Sequence, residues 1–454
     1  MTSAGIELRR IAIPAFGPSV LAAVGQGAVL PVVALRAREL GASVGVAAFA
    51  VALVSVGTLA MSLPAGSLVA RVGERRALIA AAVLDALAMA GAWFSATLWP
   101  LGAALVGMGV AAALFNLARQ AYITDAVPIA MRARALSTLG GVTRIGLFLG
   151  PFAGAAAIDR WGIRAAYAVG LAASLAALVV LLATEDLAPH APASHPSSGS
   201  PAEAAVQTAD PSGSHASAAM GTPEPSLSMH LCEKETGVRQ GDGEATSPQA
   251  SGAAGDVRGL VPVAQVLRAH RHTLLTLGTG VLVIAAARAA RMSIIPLWAD
   301  HIGLSAAATA LVFGVAGSVD MLLFYPAGSV MDRFGRVWIA VPSVVVLGVG
   351  MILLPLTSTA ASIGAVAVVM AVGNGIGSGL VMTLGADAAP PDARAQFLGG
   401  WRLFADSGGV AAPLAISAIT VVAPLAVASL AMGAMCVAGA GWLARWVPRR
   451  PPAA

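Results

Sequence analysis

The chain has 454 residues, of which 57% are hydrophobic and 11% charged, against about 25% charged in a soluble domain. Membrane helices of about 20 residues, twelve of them, would use roughly 240 positions, nearly the whole apolar supply. A soluble enzyme, a disordered scaffold, a coiled coil and a disulfide-knit domain are excluded, which leaves a polytopic membrane protein.

The net charge of +5 is unevenly spread. Of 27 bases and 22 acids, segment 185–260 holds three and ten, leaving 24 and 12 elsewhere. That arginine excess fits loops anchored to a cytoplasmic face, not nucleic-acid binding. Arg9 and Arg10 precede an apolar stretch that reads as a retained first helix, not a cleaved signal. Cys232 falls in the polar segment and Cys436 in an apolar run, so no disulfide framework is expected.

Cut at charges and Gly/Pro clusters, the apolar runs predict helices near 11–34, 44–65, 77–98, 101–121, 135–157 and 163–184. A second set follows near 268–298, 306–327, 337–356, 361–385, 395–418 and 422–444. Lipid offers nothing to an unpaired backbone group, and runs this continuous lack the alternation of a barrel. The expected fold is therefore an all-α membrane protein of twelve helices. Residues 1–184 and 268–454 form two six-helix halves, joined by a cytoplasmic linker at 185–267. The linker is rich in Ser, Pro, Gly, Ala and Thr and poor in large apolar residues, so it is expected to be disordered. With the amino terminus inside, Arg71, Arg75, Arg76, Arg333, Arg336 and Arg394 fall on the cytoplasmic side, whereas Arg36, Arg38, Arg160 and Arg164 fall outside. Both termini are thus expected in the cytoplasm of a cell-membrane protein.

The halves repeat at one constant offset. Pro64-Ala65-Gly66-Ser67 recurs as Pro326-Ala327-Gly328-Ser329, Arg71 as Arg333, Gly73 as Gly335, Asp125 as Asp387 and Pro151 as Pro413. Each pair is 262 residues apart, which implies duplicated units with a substrate site between them.

Two loop segments then suggest a family. Gly66–Arg76 reads GSLVARVGERR and Gly328–Trp338 reads GSVMDRFGRVW. Both resemble the Gly-x-x-x-Asp-Arg-x-Gly-Arg loop of the major facilitator superfamily, between helices 2 and 3 and helices 8 and 9. The second copy, with Asp332, Arg333 and Gly335, is nearly complete; the first has Ala70 in place of the Asp. The glycines read as a tight turn, and the arginines as latches to Asp125 and Asp387, each 54 residues on. In helix 5, Gly146-x-x-x-Gly150-Pro151-x-x-Gly154 resembles a motif of the superfamily's drug–proton antiporters, with Ala155 where that family ends on Gly. Such a stripe is also a packing device. A further antiporter motif places an Arg in helix 4, where positions 101–113 hold only apolar residues and glycine.

Other chemistries lack their residues. The single lysine, Lys234, follows Glu233, so there is no phosphate-binding Gly-Lys-Ser/Thr loop. Four of the seven histidines fall in the linker and the others do not converge, so neither a metal site nor a cofactor is expected.

Charges inside the spans are costly and mark function or pairing. In the superfamily, helices 1, 4, 7 and 10 line the cavity. The expected polar lining is therefore Gln26, Asn116, Arg288 and Asn374, where Gln26 and Arg288 are 262 apart. Arg402 and Asp406, one turn apart, are expected to neutralise each other. Asp85 fits a proton carrier and a packed polar contact equally. Arg144 and Asp320 lie at similar depth, roughly 15 and 12 Å in by helical rise, on facing helices of opposite halves. They are expected to bridge the interface and gate it. The resemblance implies a monomeric secondary transporter working by alternating access, which exports small, partly apolar compounds in exchange for protons. Arg288 and Arg291 motivate the alternative, a carrier of small organic anions.

Overall fold

The computed structural model describes residues 3–126, 132–184, 263–390 and 393–448, without the side chains of 3–15, 125–126, 132–134, 136, 263–264, 325, 332 and 395. Among these residues there is no strand, and twelve helices are long and apolar enough to cross a membrane. We number them by their spans: α1 (Phe16–Glu39), α2 (Val44–Ser62), α3 (Glu74–Phe94), α4 (Leu98–Thr124), α5 (Ser137–Trp161) and α6 (Ala165–Ala183) in the first half. The second half holds α7 (Arg271–His301), α8 (Ala306–Phe324), α9 (Val337–Leu356), α10 (Ala360–Ala388), α11 (Gln396–Val422) and α12 (Leu425–Trp446). Most of the expected linker lies outside the described residues. Its last residues are helical rather than irregular: Val263–Ala269 forms a short helix whose Val266 is buried, packed against the start of α11.

The sequence repeat is a repeat of bonds. Ser43 caps α2 by accepting from the Val46 amide at 3.3 Å, and Ser305, 262 residues on, caps α8 by accepting from Ala308 at 3.2 Å. Arg36 donates to the Ser95 carbonyl at 2.5 Å, while Trp298 donates to the Thr357 carbonyl at 3.2 Å from the equivalent place. Between α2 and α3, and again between α8 and α9, the chain turns at a glycine of positive φ, Gly73 at 84° and Gly335 at 100°. Only a residue without a β-carbon adopts that conformation cheaply. Gly66 and Gly328 are not part of the turn. Both sit in helical residues, Gly328 with open space where a β-carbon would go and Gly66 with only the Leu117 side chain at 4.0 Å.

The helix 5 glycines set how closely α1 approaches α5. A β-carbon on Gly146 would stand 2.5 Å from the Val20 carbonyl oxygen, and one on Gly154 3.0 Å from that of Ala28. One on Gly150 would collide with the Val24 carbonyl. Gly408 on α11, 262 residues after Gly146, meets the Leu282 carbonyl of α7 in the same way. Small residues let backbones touch where lipid supplies no hydrophobic drive. Pro151 follows within the same helix. The halves then meet along two seams, α5 on α8 and α2 on α11.

Graded substitutions test this packing. Gly150→Val should destabilise the protein by about 1–3 kcal/mol or more through overpacking, Gly154→Ala less. Gly441→Ala, with nothing within 4 Å, should be neutral. Thermal unfolding in detergent reads the order, and equal losses at Gly150 and Gly441 would discount the seam.

Candidate functional site

A central cavity of about 600 Å³ lies between the halves, walled by α1, α4, α5, α7, α8 and α10. Its apolar wall includes Leu147, Phe148, Phe313, Phe324 and Met321. Into it project four arginines, Arg119 from α4, Arg144 from α5, and Arg288 and Arg291 from α7. Asp320 of α8 is the one carboxylate among its described lining residues.

Asp320 organises the cluster. Its Oδ1 lies 3.7 Å from Arg144 Nη1, across the α5–α8 seam, and its Oδ2 lies 3.9 Å from Arg291 Nη2. Asn374 Nδ2 donates to the same Oδ2. The amide reaches it because α10 presses on α8 at Gly375, where a β-carbon would be 3.0 Å from the Asp320 carbonyl. Arg144 also stacks over Phe324, its guanidinium carbon 3.9 Å from the ring centre. The ion-pair distances exceed a hydrogen bond, and Asp320 Oδ1 has no hydrogen-bond partner. Nε and Nη2 of Arg288 and Nε and Nη1 of Arg291 are likewise unpartnered, although Arg291 is only 4% exposed. Buried donors left open in this way are rare in folded proteins and call for an account.

Arg119 was not among the residues anticipated from sequence. Arg119 falls within the expected span 101–121, past the all-apolar stretch 101–113, and donates Nη1 to Thr143 at 3.0 Å. The signal was present as a lone cation near the end of a long apolar run. Of the four expected lining residues, Arg288 and Asn374 face the central cavity. Gln26 does not. It faces a small separate cavity inside the first half, with Asp85 and Ser174, while its neighbour Gly27 lines the central one. Successive helical residues point about 100° apart, so one of the two had to turn away. Asn116 also does not line the central cavity; on α4 the longer Arg119, one turn nearer the loops, takes that place.

The remaining charges are accounted for locally. Ser174 Oγ donates to Asp85 at 2.5 Å, a packed polar contact between α3 and α6. Arg402 Nε lies 3.9 Å from Asp406, which also accepts from Ser62 Oγ of α2 at 2.5 Å. Asp406 is 262 residues after Arg144, so α5 and α11 each send a polar side chain across their seam from an equivalent position. The expected Arg333–Asp387 latch is replaced by Arg336–Asp387 at 3.0 Å. Past the Gly335 turn, Arg336 is the base brought to the end of α10, while Arg333 is exposed over the Phe334 ring. Arg71 is exposed, and the side chain of its expected partner Asp125 lies outside the described residues.

The cavity extends toward the face that bears the two motif loops. Ser137, Ser378 and Met382 line that end, and a hollow of about 290 Å³ beside it reaches Gly328 and Ser329. The opposite face is closed. There Val32 and Leu35 of α1 pack with Ala306, Ala307 and Ala310 of α8, and Arg38 of α1 donates Nε to Asp300 of α7 at 2.9 Å. These last two residues are themselves 262 apart, so the bridge joins equivalent positions of the two halves.

The family model described as Major Facilitator Superfamily matches residues 18–413. The chain belongs to the Major Facilitator Superfamily. No curated protein matches it in sequence. Among solved structures this superfamily member is similar to a D-xylose–proton symporter, with 14% identity, 97% of this chain and 98% of that one covered, and a TM-score of 0.65. It is also similar to a xylose transporter from E. coli in an inward open conformation, with 16% identity, 97% of both chains and a TM-score of 0.63. A third is a POT family transporter in complex with a thioalcohol-conjugated peptide, with 10% identity, 94% of both chains and a TM-score of 0.66. At these identities the likeness is one of fold. The family match makes the protein a transporter of the superfamily, and such proteins move small molecules.

The side chains of the Arg38–Asp300 bridge are 34% and 35% exposed, so its strength is that of a surface pair, about 0.2–1 kcal/mol. Arg38→Ala should therefore shift the balance of states by up to about fivefold toward opening of the far face. In a Cys232→Ser background, Ser378→Cys labelled by an impermeant thiol reagent from the loop face should react correspondingly more slowly when Arg38→Ala is added. An unchanged rate would show that the bridge does not hold the closed face.

Proposed function

We propose that the protein is a secondary transporter of small organic anions, worked by alternating access between its halves. One observation carries the reading: four arginines and a single aspartate line one cavity, and two of the arginines keep unpartnered donors. Fixed guanidinium forks suit carboxylate and phosphate groups. The aromatic and methionine wall suits the carbon skeleton of such an anion.

Export of partly apolar compounds by proton antiport is the weaker reading. Its carrier was the helix 5 motif, and α1 packing accounts for each of the three glycines. A cavity of net positive charge also disfavours cationic compounds. In the anion reading Arg144 and Asp320 gate the α5–α8 seam, and the loop face, with the larger share of arginines, is the cytoplasmic side of a cell membrane. The cavity is complete within one chain, so a monomer suffices.

Flux into proteoliposomes tests it, with a carboxylate, an amine and an amide of one carbon skeleton as substrates. Only the carboxylate should saturate. Arg291→Ala should cut that flux roughly ten- to hundredfold, the loss expected for one or two charge-assisted hydrogen bonds. Saturable amine flux untouched by Arg291→Ala would overturn the anion reading.

A further inference from the structure

We propose that the transporter is an obligate exchanger of small organic dianions, because its cavity carries too much unpaired positive charge to reorient empty. This rests on the anion reading and adds the valence of the substrate and the mode of transport.

The argument starts from how the cavity charges are shared. Asp320 stands within 4 Å of Arg144 and Arg291 and accepts from Asn374, so its single charge is divided between two cations. Neither Arg119 nor Arg288 forms an ion pair with it. Arg119 Nη1 donates to a neutral hydroxyl, Thr143, and two nitrogens of Arg288 have no partner in the protein. Arg119 belongs to the first half and Arg288 to the second, yet both line the same hollow. Each half therefore presents one uncommitted guanidinium, and the cavity as a whole carries three more positive charges than negative ones. The charged pair nearby on α11, Arg402 with Asp406, is neutral in sum and does not offset the excess.

In the state observed, closed at the Arg38–Asp300 face and open toward the loops, Arg119, Arg144 and Arg288 keep part of their surface hydrated through the cavity mouth, whereas Arg291 is buried. Alternating access requires passage through a state closed on both faces. There the guanidiniums lose that hydration, and the two halves bring like charges together. Unpaired charge at membrane depth is the costly case. A bound dianion supplies two negative charges between Arg119 and Arg288 and lowers the excess to one. A monoanion leaves two, and an empty cavity all three. The loaded carrier can therefore close and turn over, whereas the empty one is held back. Net movement then needs an anion on each leg of the cycle, which is exchange.

The test uses the full chain, purified and reconstituted. Labelled succinate, glycerol phosphate and butyrate serve as probes, the first two as dianions of different chemistry and the third as a monoanion. Uptake is compared between vesicles preloaded with the same anion, unlabelled, and vesicles loaded with sucrose alone. At least one of the two dianions should enter preloaded vesicles at least about tenfold faster, and butyrate should exchange more slowly than that dianion. Which one is preferred tells a carboxylate site from a phosphate site. In Arg119→Gln/Arg288→Gln, which lowers the excess by two, the remaining uptake should lose most of its dependence on preloading. Equal wild-type uptake into preloaded and sucrose-loaded vesicles would overturn exchange and leave anion transport standing. Butyrate exchanging as fast as either dianion would overturn the valence. Absence of flux and of binding for all three would overturn the anion reading itself. The wild-type comparison decides between these outcomes even if the double variant fails to fold.

Discussion

The structure turns on one constraint: charge placed at membrane depth must be matched or held in water. Asp320 meets it for two arginines at once, and the rest of the centre is arranged around that sharing. Gly375 lets α10 close on α8 so that Asn374 reaches the carboxylate. Phe324 offers its face to Arg144. What Asp320 cannot do is neutralise four cations, and the remainder gives the cavity its chemical character. A carrier for a neutral or cationic molecule has no evident use for Arg288 and Arg291, three residues apart on one helix with donors unsatisfied.

Duplication supplies the frame in which this asymmetry sits. Caps, turns, helix-end hydrogen bonds and glycine seams recur at one offset, because each half must solve the same packing problem in lipid. The centre departs from the repeat. Arg144 answers to Asp406, Asp320 to Thr58 and Arg288 to Gln26. Each seam keeps a polar contact that starts from an equivalent position, Arg144 in an ion pair on one side and Asp406 accepting from the Ser62 hydroxyl on the other. The Arg38–Asp300 bridge lies where the repeat meets itself, at the ends of α1 and α7. Function has been written into a symmetric scaffold by changing side chains, not by changing helices.

Much of the fold was legible in the sequence for a physical reason. A bilayer allows few solutions to a chain this apolar, so run length and composition determine twelve helices, and a constant offset determines two like halves. Facing depth is also a one-dimensional property. Residues ten past Arg134 and eight before Gly328 sit at comparable heights, and the structure brings Arg144 and Asp320 within 3.7 Å. Element ends were less legible, since a polar residue near the end of a span can belong to the helix or to the loop. Arg119 falls within the expected span 101–121, and nothing in its local pattern says that it faces the cavity.

Azimuth, the direction a residue faces around its helix, was decided only by tertiary packing. Gln26 and Gly27 are adjacent in sequence and face different cavities, because α1 is rotated to seat its small residues on Gly146, Gly150 and Gly154. Asp387 pairs with Arg336 instead of Arg333, because the chain reverses at Gly335 between them. The sequence by itself determined how many helices there are, how they repeat and at what depth each charge lies. Which charges converge, and the net sign they leave in the cavity, depend on long-range rotations and close approaches set by side-chain volume, which no local pattern encodes.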